Sequence, residues 1–303
     1  MNASVISGGW ATWTPYQYQE RLPTGGRQLT GLDIEVMNAA AELAGLNPIY
    51  QEIVWDRHLR SIEAGNLDFA MGATRQAARE EYAWFSRPYR HEAIFVFCRK
   101  GEGALWEGDS PIDTLKAIRD RGGKISLEAG SFFGQEVSDL IAEPAEASWV
   151  DTHPTTAQVL QALLHGEVDA VLMDRFAGLS AAWNQDVLDE LEELSGPVHV
   201  SPISMMFSKA TVSPETVASF DAAIAELEQS GRLRYFARHT LIPSLLVITL
   251  GSTWFFYFGN GRYGGLCDLR CSDCAKGKLR YHWRRSTRLP SRLGRWDYAR
   301  CGQ

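Results

Sequence analysis

Short apolar runs and helical stripes take turns along most of the chain. Val5 and Ile6 open a strand-like stretch that runs into GGWATWTPY, a turn-rich segment dense in aromatic residues. Asp33 to Leu43 sets Ile34, Val36, Met37, Ala40, Ala41 and Leu43 at helical spacing and stops before Gly45. Pro48 to Val54 reads as a strand, His58 to Ala64 as a short helix ending at Gly65, and Leu67 to Gly72 as a further apolar strand. Ala93 to Cys98, AIFVFC, is a β-rich run that leaves this unit. The pattern then restarts: helix over Ile112 to Arg119, strand over Lys124 to Leu127, a turn at Gly130, and a helix across Gly134 to Ile141. A strand near Trp149 and Val150, a helix from Thr156 to Leu164 and the strand Ala170 to Met173 complete the second unit. Val198 to Phe207 is strand-like, and Pro214 to Glu228 is a helix with Val217, Phe220, Ala223, Ile224 and Leu227 on one face. Strands alternating with helices predict a layered α/β architecture with a largely parallel sheet, built as two units and not as a repeat array.

Beyond these units the rhythm changes. Leu241 to Phe258, LIPSLLVITLGSTWFFYF, is uncharged, and its length predicts a single transmembrane helix. Aromatic residues gather at its far end, and Arg-rich sequence follows as on a cytoplasmic flank. Pro243, Gly251 and several hydroxyl residues leave a buried terminal helix as the alternative. The formal charge of −7 conceals a strong asymmetry: from Arg262 onward there are 11 Lys+Arg against 3 Asp+Glu, leaving 19 against 34 before it. Cys98 stands alone in the body, whereas Cys267, Cys271, Cys274 and Cys301 crowd the tail without the paired spacing of a zinc site. Residues 259–303 therefore read as a basic, Cys/Arg-rich tail, disordered or not native sequence, and no metal, cofactor or nucleic acid is expected. The N-terminus MNASVISGGW shows no basic stretch followed by an apolar one, so no signal peptide is visible.

Six ordered segments carry a family resemblance. WTPYQY, LTGLDIEVMNAAAELAG and WDRHLRSIEAGNLDFAMGATRQAAREEYAWFSRPY come first, then ISLEAGS, ALLHGEVDAVLMD and LEQSGRLRYFARHTL. Over roughly residues 4–240 the chain resembles the bacterial extracellular solute-binding proteins of family 3, the periplasmic amino-acid-binding proteins of ABC importers. The resemblance implies the two-lobed, type II periplasmic-binding-protein fold with two hinge strands. Residues 1–240 would be the solute-binding domain, with lobe one at about 1–97 and 200–240 and lobe two at about 98–199. Ligands of such open sheets bind outside the carboxyl ends of the strands, where the Gly72 and Gly130 loops fall.

A free amino acid presents a carboxylate and an ammonium about two bonds apart, so its site needs a fixed cation facing one and an acid facing the other. Arg79, on the Gly72-Ala73-Thr74 loop, offers a guanidinium that matches a carboxylate bidentately. Thr74 would add hydroxyl and backbone donors near a helix N-terminus. In the family the matching Arg and Thr hold the ligand carboxylate, and Asp174 falls at the ammonium-binding acid. Ser131 would complete the carboxylate's donors from lobe two, and Trp13 and Trp55 match positions that line the family's pocket. Tyr16 reads as packing and Asp33 as a structural acid at a helix start, while Phe132 replaces a small residue and narrows the expected pocket. Arg75, His153 and Arg175 lie beside the predicted loops without a fixed direction.

Arg79 and Asp174 belong to different lobes, so a ligand held by both would shift the lobes toward closure. Three outputs share this fold: a receptor that delivers its solute to an ABC permease, a ligand-sensing domain tethered to a membrane signalling module, and a dehydratase-like enzyme. The first is the leading expectation, in the periplasm or at the outer face of the inner membrane. No catalytic residue is assigned, since no Ser-His-Asp or Cys-His constellation appears.

Overall fold

The computed structural model describes residues 4–143, 148–194 and 196–249. Its first half is built from β1 (Ser4–Trp10), β2 (Tyr18–Arg21), β3 (Arg27–Thr30), α1 (Leu32–Leu43), β4 (Leu46–Glu52), α2 (Trp55–Glu63), β5 (Phe69–Thr74), α3 (Ala77–Glu80) and β6 (Ala83–Phe85). The long strand β7 (Arg90–Arg99) crosses to the second half: α4 (Gly103–Trp106), α5 (Pro111–Asp120), β8 (Ile125–Glu128), α6 (Gln135–Ala142), β9 (Val150–His153), α7 (Thr156–Leu164), β10 (Ala170–Asp174), α8 (Arg175–Asn184) and β11 (Leu191–Glu193). β12 (His199–Ser208) returns, and α9 (Pro214–Gln229) and α10 (Arg232–Thr249) close the described chain.

The helices start where the chain supplies caps. Ser110 before Pro111, Thr155 before Thr156 and Ser213 before Pro214 each accept an amide from the first turn, satisfying a donor that the helix itself leaves free. One ladder runs β4-β1-β5-β12-β7-β10-β8-β9. β1 pairs in parallel with β4 and β5, and β8 with β9 and β10, as alternating strands and helices require. The two crossing strands are antiparallel to their neighbours. β12 pairs with β7 over His199–Ile203 and then with β5 from Ile203 onward. β7 in turn pairs with β10 from Ile94 to Cys98. These two strands join the lobes.

Each lobe has its own core. In the first, α1 and α9 lay Ile34, Met37, Phe220 and Ile224 against Phe69, Met71, Met205 and Phe207. In the second, successive strand residues face opposite sides: Val96 and Leu172 join Leu115, Ile118 and Ile125, while Phe97, Val171 and Met173 join Val159, Leu160 and Leu163. A sheet covered on both faces needs such continuous apolar strands, and the runs AIFVFC and AVLM supply them.

α10 corrects the expected membrane span. No helix among the described residues is long and apolar enough to cross a membrane. The helix that contains Leu241 begins nine residues earlier at Arg232, carries Arg232, Arg234 and Arg238, and sets Leu233, Phe236, Ala237 and Leu241 against the core of the first lobe. Leu241 thus belongs to a docked terminal helix. Residues 250–258 of the expected span and the whole 259–303 tail, with its four cysteines, lie outside the described residues.

Candidate functional site

Trp13, Trp55, Gly72, Thr74, Arg79, Ser131 and Asp174 all line one cleft between the lobes. From the first lobe come the loop after β1, the start of α2, and the end of β5 with the turn into α3. From the second come the turn after β8 and the end of β10. Two glycines make this convergence feasible. Gly72 has φ +75°, and a Cβ there would lie 2.9 Å from the Trp13 ring and 3.2 Å from Asp33 Oδ2. Gly130 has φ +79°, and its Cβ would lie 3.2 Å from Leu59 and 3.4 Å from the Asp56 backbone on the facing lobe. Both sites therefore exclude side chains.

The buried Arg79 guanidinium reaches across the cleft. Nη1 donates to the Thr74 carbonyl at 3.0 Å and Nη2 to the Gly130 carbonyl at 2.8 Å. Trp55 Nε1 donates to the same Gly130 carbonyl at 3.2 Å, and Arg79 lies over the Trp55 ring at 5.6 Å. With its amide turned to satisfy both groups, Gln76 Oε1 also accepts from Nη1 at 3.2 Å and Nη2 at 3.3 Å, so of the five N–H donors of the guanidinium the one on Nε is left for a further acceptor. Burial lowers the Arg79 pKa, while Tyr82 and the cleft acid Glu92 raise it from a distance. Thr74 Oγ1 lies 3.3 Å from Ser201 Oγ. The helix expected to add donors beside Thr74 is the single turn Ala77–Glu80. Ser131 spends its amide on the Glu128 carbonyl at 3.2 Å and lines the cleft. Phe132 fills the adjacent wall, its ring edge-on to His199.

Asp174 holds two roles at once. Its Oδ1 caps α8 by accepting the Ala177 amide at 2.9 Å and also accepts the Tyr16 hydroxyl at 3.0 Å, while Oδ2 accepts the Ala93 amide at 3.3 Å. Burial raises its pKa against these bonds and the nearby Arg90. Tyr16, expected to serve as packing, also ties the two lobes through this hydroxyl. Under it lies a cluster that sequence reasoning does not assemble. Arg90 stacks 3.7 Å over the Tyr16 ring and grips Asp33 with Nε at 2.7 Å and Nη2 at 3.1 Å. Its Nη1 lies 2.7 Å from Glu92 Oε1.

Glu92, Glu128 and His58 also line the cleft. Burial pushes Glu92 up to about 8 and Glu128 up to about 7, the latter although Thr156 Oγ1 donates to it at 2.7 Å. Burial lowers His58 to about 4, and its Nε2 sits between the Gly9 amide (3.1 Å) and the Phe69 carbonyl (2.9 Å). Period-two spacing could have found Arg90 and Glu92. Carried back from Ile94, it puts both on the inward face, whereas the apolar run suggests a strand starting only at Ala93. Arg75 and Arg175 turn to the surface, where they pair with Glu80 and Glu193. His153 ends β9, and its carbonyl accepts the Ala129 amide.

These shifts set a pH optimum for the ligand-free protein. Glu92 and Glu128 keep protons that unfolded carboxyls release, so their contribution is complete below about pH 4.5 and is lost as pH rises through about 7 to 8. His58 acts oppositely, stabilising the fold increasingly as pH rises from about 4 to 6.5. Between about pH 4.5 and 6.5 the two falling contributions outweigh the rising one, so thermal unfolding of the ligand-free chain should show its highest midpoint near pH 4.5 and a decline above it. From pH 6.5 to pH 8.5 about 2 kcal/mol should be lost, a fall of roughly 4–8 °C. A midpoint that stays level or climbs over that interval would contradict protonated Glu92 and Glu128 at neutral pH.

The sequence profile of the bacterial extracellular solute-binding proteins, family 3, matches residues 5–239. The L-cystine-binding protein TcyJ of Escherichia coli (strain K12) is 25% identical over 177 residues, 58% of this chain and 60% of that protein, so less than two thirds of that relative is spanned. The L-cystine-binding protein TcyA of Bacillus subtilis (strain 168) is 25% identical over 229 residues, 75% of this chain and 76% of its own length. Among solved structures, the amino acid ABC transporter substrate-binding protein AbpA of Streptococcus pneumoniae, bound to L-arginine, superposes with a TM-score of 0.65 at 21% identity, covering 80% of this chain and 96% of that one. A histidine kinase sensor domain similar to periplasmic binding proteins gives a TM-score of 0.65 at 18% identity over 78% of this chain and 96% of its own. Structural likeness at identities this low speaks for the fold alone. Two α/β lobes joined by two strands, a cleft where the strands end, and a profile match along nearly the whole described chain agree: the chain belongs to the bacterial extracellular solute-binding proteins, family 3.

Proposed function

We propose that the chain binds a free amino acid outside the cytoplasm by closing its lobes around it, and presents the closed form to an ABC-type importer. The observation that carries this is the placement of Arg79 and Asp174 on opposite walls of one cleft. Arg79 would take the ligand carboxylate together with the Thr74 and Ser131 hydroxyls, and Asp174 the ammonium, with Trp13 and Trp55 flanking the side chain. Lobe one would comprise about residues 1–97 and 200–240, and lobe two about 98–199. A ligand bridging both walls adds contacts that exist only when the lobes meet, so binding and closure are one equilibrium. The L-cystine-binding relatives and the L-arginine-bound AbpA support a ligand of this class.

The cleft is read as a binding site and not as a catalytic one. His58, which lines it, is kept neutral by burial, and its Nε2 is engaged with the Gly9 amide and the Phe69 carbonyl. A thermal-shift screen of the full chain against L-amino acids, polyamines, dicarboxylates and sugars tests the reading. An amino acid at a hundred times its Kd should add about 2.7 kcal/mol to stability, a shift of several degrees. Stabilisation by sugars or dicarboxylates alone, or by nothing in the panel while the protein remains folded, would remove the amino-acid assignment.

A further inference from the structure

Glu92 has no role in the head-group scheme above, yet it lies at the scheme's centre. It sits on β7 opposite Ser201 of β12, is only 8% exposed, and still lines the cleft. Its close cation is Arg90, whose Nη1 lies 2.7 Å from Oε1 but out of line: neither atom makes a hydrogen bond among the described residues. Arg90 is already spent on Asp33 through two charge-assisted bonds. The other groups that face Glu92 are Asp33 from α1, Tyr16 from the loop after β1, Arg79 from α3 and Asp174 from β10. Tyr16 is held neutral by burial.

The charges in this group do not balance. Asp33 and Arg90 cancel. A zwitterionic ligand would match Arg79 with its carboxylate and Asp174 with its ammonium, which leaves Glu92 as a buried acid without a full partner. Along the same cleft Glu128 is a further carboxyl, and among the described lining residues Arg79 is the one guanidinium set against Glu92, Glu128 and Asp174. An unpaired carboxylate in such a place either keeps its proton or recruits a cation. We propose, building on the amino-acid reading above, that Glu92 makes the cleft selective for amino acids with a positively charged side chain, whose second charge completes the balance that a neutral amino acid leaves open.

The protonation of Glu92 gives this selectivity a signature. The protein holds this carboxyl up to about 8 by burial. A cationic ligand should expel its proton on binding at pH 7, whereas a neutral amino acid should bind with the proton in place. Affinity for the cationic ligand should therefore rise with pH between about 6 and 8, and affinity for a neutral one should fall above about 8.

Isothermal titration of the full chain with L-arginine, L-lysine and L-ornithine, against L-glutamine and L-cystine, decides the matter. The measurement is made at pH 7 in buffers of different ionisation enthalpy. The unaltered protein should bind one cationic amino acid at least ~10-fold tighter than glutamine, with proton release. Glu92→Gln should narrow that ratio by at least ~5-fold, abolish the proton release and spare glutamine binding. Glu128→Gln provides a second reading of the same charge excess should the first variant fold poorly. Tighter binding of neutral amino acids by the unaltered protein overturns the inference while leaving the amino-acid reading standing. Equal losses for both ligand classes in Glu92→Gln overturn it as well. Failure of every amino acid to bind the folded protein removes both readings together.

Discussion

Asp33→Ala should destabilise the protein by about 3–5 kcal/mol, lowering its unfolding midpoint by roughly 6–15 °C. Asp33 has no solvent exposure and Arg90 is 9% exposed, so removing the acid strands a guanidinium in the interior. Both carboxylate oxygens are engaged: Oδ1 by Arg90 Nε at 2.7 Å, and Oδ2 by Arg90 Nη2 and by Gln17 Nε2, each at 3.1 Å. The remaining partner, Glu92, lies 2.7 Å from Arg90 Nη1 but out of line, and because burial holds its carboxyl protonated it can offset the guanidinium only by giving up that proton. The damage should spread to the cleft, because Arg90 underlies Tyr16 and the Tyr16 hydroxyl holds Asp174. Removing both charges tells a different story. Asp33→Leu combined with Arg90→Met should lose much less than Asp33→Ala, since a buried ion pair returns little net stability once its desolvation is counted. Denaturant unfolding of the three proteins makes the comparison. A loss below about 1 kcal/mol for Asp33→Ala would place the pair with exposed ones such as Arg75 and Glu80.

The layered α/β plan is legible because its strands are buried on both faces, so AIFVFC and AVLM stand out as uninterrupted apolar runs between helical stripes. Helix starts are legible where Ser or Thr precedes Pro or an apolar stripe. The seven expected site residues fall at one cleft because motif segments at strand ends mark where an open sheet gathers its loops. What stays hidden has physical reasons. The hairpin of β2 and β3 is mostly exposed and polar, so it carries no alternation to read. α8 begins directly from Asp174, whose side chain caps it, and its own residues are only weakly amphipathic. The Asp33, Arg90, Glu92, Tyr16 cluster assembles residues far apart in sequence, and each alone looks like an ordinary surface charge or core aromatic. Leu241 illustrates the opposite error. Its uncharged neighbourhood looks membrane-like, but the preceding turns of the same helix already fix it to the first lobe.

Arg79→Ala should weaken amino-acid binding by about 10- to 100-fold, the scale of a lost charge-assisted hydrogen bond of ~1.5–3 kcal/mol. Two causes would contribute. In the proposed scheme Arg79 meets the ligand carboxylate, and its Nη2 bond to the Gly130 carbonyl also joins the lobes directly. A ligand's charge separates them: the amine formed by deleting the carboxylate from the bound amino acid cannot use the first interaction but still requires closure. If Arg79 acts on the carboxylate, the amine should bind weakly to the unaltered protein and lose almost nothing further in Arg79→Ala. If the interlobe bond dominates, amine and amino acid should lose affinity alike. Arg79→Lys sharpens the contrast, because an ammonium keeps the charge but cannot span the carboxylate and the Gly130 carbonyl with one planar fork. Its affinity should fall between those of the other two proteins. Unchanged amino-acid affinity in Arg79→Ala would remove this residue from the site, and with it the reason to read Asp174 as the opposing half of a clamp.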